Sequence, residues 1–129
     1  MAGSASDIWI LAAKRTAFGA FGGALRDQKA TDLGTTAAKA ALAQAGLTAE
    51  RIDQVIFGNV LQTTPEDVYC ARHIGLRAGV PVDRPALTVN RLCGSGFQAS
   101  GSAALEIRHG EADVALVGGA DSAFGASFL

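Results

Sequence analysis

The stretch that decides the fold is Leu87–Gly101, which has the sequence Leu-Thr-Val-Asn-Arg-Leu-Cys-Gly-Ser-Gly-Phe-Gln-Ala-Ser-Gly. It begins within a short apolar and β-branched run, Ala86–Val89, which predicts a strand. The two glycines after the cysteine permit a sharp turn, and a helix is predicted over residues 95–109, with a glycine as its stop. Cys93 therefore lies between a strand and the first turn of a helix.

This position makes Cys93 the candidate covalent nucleophile of the chain. A helix N-terminus offers unpaired N–H groups and the positive end of the helix dipole, a setting that favours a thiolate. The dipole contributes about 1 kcal/mol, whereas a free cysteine is only about a few per cent thiolate at pH 7. A base or a cation is therefore needed as well, and a buried structural cysteine remains the alternative interpretation.

Neither of the two histidines is marked as that base by its spacing. His109 is 16 residues further along the same predicted helix, which corresponds to about 24 Å at about 1.5 Å per residue. Its place at the helix C-terminus already explains a cationic side chain. Distance does not exclude His73, but no motif includes it. The residues alone thus supply a nucleophile without a convincing base.

The composition bounds the class of protein. The 129 residues, 49% hydrophobic and 18% charged, predict one globular domain over residues 1–129. A net charge of −1 gives no electrostatic reason to expect nucleic acid or an anionic membrane as a partner. No leader peptide, membrane span or metal motif is recognisable. Cys70 and Cys93 do not form a CxxC pair, so we expect a reduced, cytoplasmic protein with Cys70 packed in the core.

Strands and helices alternate along the sequence. Strands are predicted at Ile8–Ala13, 54–60, 86–89 and 113–118, and helices at 33–45, 68–78 and 95–109, the first capped by Thr31 or Asp32. This order predicts an α/β fold with a mostly parallel sheet covered by helices on both faces. Ligands bind beyond the carboxyl ends of such strands. Cys93 lies at one of these ends.

A second motif overlaps the cysteine. Gly94–Ala99 fits the pattern G-x-G-x-x-G/A after a strand, and Asp121 follows at the end of the next predicted strand. This is the context of a dinucleotide-binding fingerprint, in which the acid binds the ribose. A nucleotide-binding oxidoreductase domain is therefore an alternative function.

The sequence Val89–Gln98 strongly resembles the thiolases, the acetyl-CoA acetyltransferases and 3-ketoacyl-CoA thiolases. Segments in the same order resemble other parts of that family: Arg15–Gly19, Gly58–Gln62, Ala71–Gly79 and Gly118–Ser122. Ala17 stands where the family usually has proline, and Ala123–Ser127 departs from the usual methionine and proline. Ala71–Gly79 is closer to the degradative 3-ketoacyl-CoA thiolases of fatty acid metabolism.

The resemblance implies a fold of two similar α/β halves plus an inserted loop domain, of which this chain matches the first half without its last strand. It implies that Cys93 is acylated by an acyl-CoA, with its backbone N–H in the oxyanion hole. The acyl group then passes to the enolate of acetyl-CoA, or CoA cleaves a 3-ketoacyl-CoA in reverse. CoA is thus substrate or product, and no other cofactor is implied.

The resemblance also implies what this chain lacks. The family's activating histidine and second cysteine belong to the other half, and most CoA contacts belong to the loop domain. The chain alone is therefore expected to be inactive and to need the C-terminal thiolase half. Family members are homodimers or homotetramers, which suggests a subunit contact at Asn90 and Arg91. The alternative interpretation is that these two residues are solvated polar groups at the end of a strand.

Two further alternatives remain open from the sequence. A non-catalytic α/β module that dimerises or needs a partner chain has the same fold. A ketoacyl synthase also uses a cysteine at this kind of turn, although Cys-Gly-Ser-Gly favours a thiolase.

Overall fold

The computed structural model describes residues 7–125, and within them three strands form one parallel sheet. The strands are β1 (Gln54–Gly58), β2 (Ala86–Val89) and β3 (Ala115–Gly119), and β1 lies in the centre of the order β2-β1-β3. Ile56 in the middle of β1 is paired with Leu87 and Val117 of its neighbours. All five residues of β1 are buried, as expected for a central strand with helices over both faces.

Three α-helices cover the sheet: α1 (Ala30–Ala45), α2 (Cys70–Ala78) and α3 (Ser95–Arg108). Alternate side chains of β1 separate two cores. Val55 and Phe57 pack with α1 and α2, whereas Ile56 packs with Ala99 and Ala103 of α3. Short 3₁₀ segments lie at Ala49–Arg51, Asp67–Tyr69 and Ala123–Gly125. The predicted α/β fold, with a parallel sheet covered on both faces, is confirmed.

The predicted first strand, Ile8–Ala13, is wrong for this structure. These residues are not in a strand, and Trp9 and Ile10 are 77% and 88% exposed. They line a largely apolar cavity of about 880 Å³ whose other walls come from α1, α3 and β3. A strand needs a neighbouring edge to take its backbone hydrogen bonds, and this cavity separates the segment from the edge of β3. The run Ile8–Ala13 has the apolar composition of a strand, but composition alone does not provide a neighbouring strand with which to pair.

The ends of the other elements differ from the predictions by a few residues. Helix α1 begins at Ala30, after Lys29, and neither Thr31 nor Asp32 caps it. The C-terminal stop is as predicted, because Gly46 adopts a left-handed φ of 65°. Helix α2 begins at Cys70 behind a 3₁₀ turn, and the last strand begins at Ala115.

The expectations about residues 1–6 and 126–129 lie outside the described range. These residues include most of the N-terminal stretch in which a leader peptide would lie and the final residues of the chain. Across residues 7–125, no helix is long and apolar enough to cross a membrane, and no group of acidic, histidine and cysteine side chains is arranged to hold a metal.

Thr31 joins a polar network in place of its predicted capping role. Its hydroxyl donates to Oε2 of Glu66 at 2.9 Å, and Lys29 and Arg77 form ion pairs with the same carboxylate at 3.0 and 2.8 Å. Arg77 also pairs with Asp32 at 3.0 Å. The start of α1, the end of α2 and the loop between β1 and α2 are therefore joined at one carboxylate.

This network predicts an acid-sensitive contribution to stability. Hydrogen bonds from Lys29 and Thr31, followed by Arg77, lower the pKa of Glu66 from 4.5 to about 2. A carboxyl whose pKa is lower in the folded state stabilises the fold above pH 4.5, and this contribution is lost as the pH falls through about 2. We expect Glu66→Gln to lower the thermal midpoint at pH 7 and to flatten its decline between pH 4.5 and 2.

The matched control is Glu111→Gln, since Glu111 is exposed and forms no ion pair with any residue from 7 to 125. Thermal unfolding followed by circular dichroism across that pH range makes the comparison. Equal acid dependence of the Glu66→Gln protein and the unsubstituted protein would contradict the role of this carboxylate.

Candidate active site

Residues 90–94 form a tight turn between the end of β2 and the start of α3. The N–H of Gly94 donates to the carbonyl of Arg91 at 3.2 Å, and the N–H of Ser95 donates to the carbonyl of Leu92 at 3.0 Å. Leu92 has a φ of 50° and is the one non-glycine residue between 7 and 125 with a positive φ. Such a conformation costs about 1–3 kcal/mol and persists only where other contacts hold it.

The side chain of Ser95 ties this turn together. Its Oγ accepts the N–H of Arg91 at 2.8 Å and donates to the carbonyl of Leu92 at 2.6 Å. Ser95 is only 4% exposed, so these two bonds are largely shielded from water. The hydroxyl therefore links both sides of the turn that carries Cys93.

The side chain of Asn90 holds the same turn from its other end. Its Oδ1 accepts the N–H of Leu92 at 3.0 Å, and its Nδ2 donates to the carbonyl of Val60 at 3.4 Å. Val60 follows β1, so Asn90 connects the turn with the neighbouring strand end.

Close packing places the start of α3 on the carboxyl ends of the strands. A Cβ on Gly58, the last residue of β1, would lie 2.6 Å from the Cβ of Ser95, so the two backbones approach as only glycine allows. A Cβ on Gly119 would lie 3.7 Å from the Cα of Gly96. The turn thus lies at the edge of the sheet where parallel α/β folds bind ligands.

Cys93 is free and exposed at this edge. Within residues 7–125, no side chain forms a hydrogen bond with its sulfur, and no acceptor takes its backbone N–H. His109 lies at the opposite end of α3, and His73 lies half-buried in α2. The described residues therefore present the predicted nucleophile with an open N–H group and without a base in contact.

Cys70 has the opposite environment. Its side chain is fully buried, and burial, followed by the charges of Asp67 and Asp121, raises the pKa of its thiol to about 12. At neutral pH it is therefore a protonated core residue, which agrees with the packing role predicted from the sequence. The two cysteines provide an internal contrast between an accessible thiol and an inert one.

The geometry does not fit the dinucleotide-binding alternative. Oδ1 of Asp121 accepts the N–H groups of Val60 and Leu61 at 2.8 and 2.9 Å, so this carboxylate already holds the loop after β1. The buried Asn59 reinforces the same junction by donating to the carbonyl of Ala120 at 2.9 Å. Asp121 joins two strand ends, and this use of the carboxylate leaves the nucleotide fingerprint without its acid.

Sequence reasoning missed the parts played by Gly58, Ser95 and Asn90 in shaping the turn. A serine at the first position of a predicted helix is a recognisable signal for such bonding. The close approach of Gly58 depends on how α3 crosses the sheet, which no local pattern gives.

Comparison with known proteins decides the family. The model of the family described as "Thiolase, N-terminal domain" matches residues 8–124. The chain belongs to the thiolase family. Its similarity to human mitochondrial 3-ketoacyl-CoA thiolase is 54% identity over 115 residues, which are 89% of this chain and 29% of that protein. Its similarity to the β-ketothiolase BktB of Cupriavidus necator is 46% identity over 123 residues, which are 95% of this chain and 31% of that protein.

Solved thiolase structures agree with this assignment. The crystal structure of human mitochondrial 3-ketoacyl-CoA thiolase in complex with CoA superposes with a TM-score of 0.78 and 56% identity, over 79% of this chain and 26% of that one. Bacillus anthracis acetyl-CoA acetyltransferase superposes with a TM-score of 0.86 and 32% identity, over 93% of this chain and 30% of that one. This thiolase N-terminal domain therefore spans under a third of the length of these relatives.

Proposed function

We propose that this domain carries the nucleophile for acyl transfer between CoA thioesters, in fatty acid metabolism, and that the nucleophile is Cys93. The observation that carries the proposal is an exposed cysteine on a hydrogen-bonded turn at the N-terminus of α3. The membership in the thiolase family supports the reaction type. The names of the relatives supply the substrate class, CoA thioesters.

In the proposed reaction, the thiolate sulfur of Cys93 attacks the carbonyl carbon of an acyl-CoA, and the carbonyl π electrons move to oxygen. Preorganised N–H groups stabilise this oxyanion, and the open N–H of Cys93 is one candidate donor. The oxyanion then re-forms the carbonyl, the carbon–sulfur bond to CoA breaks, and the CoA thiolate takes up a proton. The product is an acyl thioester on Cys93.

A second substrate completes the proposed cycle. The enolate carbon of acetyl-CoA attacks the acyl thioester, a carbon–carbon bond forms, and the sulfur of Cys93 leaves as thiolate. In the reverse direction, Cys93 cleaves a 3-ketoacyl-CoA, and CoA then removes the acyl group by thiolysis. Both directions need a base that moves a proton to or from the reacting thiol or carbon.

We propose that this base comes from the C-terminal half of a complete thiolase. Within residues 7–125 neither histidine forms a hydrogen bond with Cys93, and the relatives extend over more than three times the matched length. The polypeptide of residues 1–129 is therefore proposed to be inactive alone, with acyl-CoA and the C-terminal half as its partners.

The test is thiolytic cleavage of acetoacetyl-CoA by the protein at its full natural length. We expect CoA-dependent formation of acetyl-CoA by that protein and none by a polypeptide of residues 1–129 whose circular dichroism shows a folded α/β domain. Turnover by the short polypeptide would contradict the need for a second half. No turnover by the full-length protein with any 3-ketoacyl-CoA would contradict the proposed function and favour the non-catalytic module.

We further propose a homo-oligomer that uses the β2 side of the sheet. In the described sheet β2 is an edge strand, and exposed apolar side chains cluster in sequence around it: Leu87, Leu92 and Phe97 are 43%, 70% and 85% exposed. A subunit contact at Asn90 and Arg91 fits this surface. Light scattering on the full-length protein distinguishes a dimer or tetramer from a monomer. The cytoplasmic location stays a prediction, and several relatives are named as mitochondrial.

A further inference from the structure

We propose that Asn90 is a positioning residue for the proposed nucleophile, Cys93, acting by holding Leu92 in its left-handed conformation. This inference rests on the proposed function, since it assigns Asn90 a part in presenting the thiol to an acyl-CoA. It concerns the two bonds of one side chain: the bond that Oδ1 accepts from the N–H of Leu92, and the bond that Nδ2 donates to the carbonyl of Val60.

The conformation of Leu92 requires an explanation from outside its own side chain. A branched, non-glycine residue rarely adopts a φ of 50°. Leu92 is 70% exposed in this chain, so packing within the chain does not hold it there. Hydrogen bonds to its backbone are what remains: Asn90 accepts its N–H, and Ser95 donates to its carbonyl.

Asn90 is itself hydrogen-bonded to residues at the end of the sheet, so it fixes the turn relative to the strands. The preceding residue, Val89, accepts the N–H of Asn59 at 3.0 Å through its carbonyl. The Nδ2 of Asn90 donates to the carbonyl of Val60, and the N–H of Val60 donates to Oδ1 of Asp121 at 2.8 Å. The turn is therefore held against the ends of β1 and β3 as well as against α3.

The conformation of Leu92 sets the direction of the next residue. Cys93 follows directly, so a return of Leu92 to an ordinary negative φ reorients both the Cβ–Sγ bond and the N–H of Cys93. The thiol and the candidate oxyanion donor are then misplaced together. Misplacement of the reacting atoms slows a reaction that depends on a near-attack geometry.

The experiment uses the full-length protein and the variants Asn90→Ala, Leu92→Gly and the double variant. We expect Asn90→Ala to slow acetylation of Cys93 by acetyl-CoA and its alkylation by iodoacetamide, each about five- to tenfold, the effect of one lost hydrogen bond. Glycine adopts a positive φ without strain. Leu92→Gly alone should thus stay within about twofold of the unsubstituted protein, and the double variant should recover most of the lost rate.

Amide hydrogen exchange gives a readout that needs no reaction. Exchange at Leu92 should accelerate in Asn90→Ala and remain slow in Asn90→Asp, which keeps the accepting oxygen. Unchanged rates in Asn90→Ala, or a defect that Leu92→Gly does not rescue, would overturn the positioning role. If the unsubstituted protein is not acetylated at all, the proposed function fails, while alkylation and exchange still decide the role of Asn90.

Discussion

Replacement of Cys93 by alanine should abolish acyl transfer and leave the fold intact. We expect kcat/KM for acetoacetyl-CoA thiolysis to fall by about 10⁴-fold or more, the scale on which loss of a covalent nucleophile acts. Because Cys93 is exposed and its sulfur has no partner within residues 7–125, stability should change by less than about 0.5 kcal/mol. Steady-state kinetics and denaturant unfolding of the full-length protein measure the two quantities.

The matched control is Cys70→Ala, which changes the other cysteine of the chain. Cys70 is fully buried in the core shared by α1, α2 and β1, so its truncation should cost about 1 kcal/mol of stability and little activity. We therefore expect Cys93→Ala to lose activity and keep its stability, and Cys70→Ala to lose stability and keep its activity. Thiolysis that survives in Cys93→Ala would remove Cys93 from the mechanism.

Replacement of Gly58 by alanine should destabilise the protein strongly, because the start of α3 packs directly on this residue. The new Cβ would lie 2.6 Å from the Cβ and 2.8 Å from the carbonyl carbon of Ser95. One of these contacts is with backbone, so a side-chain rotation cannot relieve it. We expect a loss of about 1–3 kcal/mol, the range for an overpacked core, together with lower activity because Ser95 holds the turn.

Gly101→Ala is the control for this prediction, since Gly101 lies within α3 and an added Cβ there meets open space. Alanine at a helix interior is favoured over glycine by about 1 kcal/mol, so this variant should be slightly more stable and fully active. Denaturant midpoints and thiolysis rates of both proteins provide the comparison. Equal stability of the two variants would show that α3 does not pack on β1 as closely as described.

The fold class and the place of Cys93 were predictable because they depend on the order of strands and helices along the chain and on the glycines that end the helices. Alternation of strand and helix patterns requires a parallel sheet with covered faces, and glycines marked the ends of α1 and α2, where Gly46 and Gly79 adopt positive φ. The run Ile8–Ala13 shows the limit of such reasoning, because pairing depends on an edge that comes within hydrogen-bond distance.

Helix α3 shows a second limit. Large apolar side chains usually mark the buried face of a helix, but the buried residues of α3 are Ser95, Ala99 and Ala103. Phe97 and Leu105 are 85% and 57% exposed. Small side chains face the sheet because α3 lies close to Gly58, and that distance is a property of the assembled fold.

The chemistry of the site was only partly predictable for the same reason. Spacing singled out Cys93 as the candidate nucleophile and gave neither histidine a role as its base, and both of these interpretations stay predictions. The roles of Asn90 and Ser95 depend on hydrogen bonds across a turn with one left-handed residue, Leu92. Sequence indicates that a turn exists, whereas the conformation of each residue within it follows from contacts with the strands.

The role of Cys93 is tested most directly by locating the acyl group after the full-length protein is mixed with acetyl-CoA alone. Rapid acid quench, digestion and peptide mass spectrometry identify which residue carries the acetyl group. We expect one acetyl group on the peptide that contains Cys93 and none on the peptide that contains Cys70. Acetylation of any other residue, with Cys93 unmodified, would contradict the central claim that this turn carries the nucleophile.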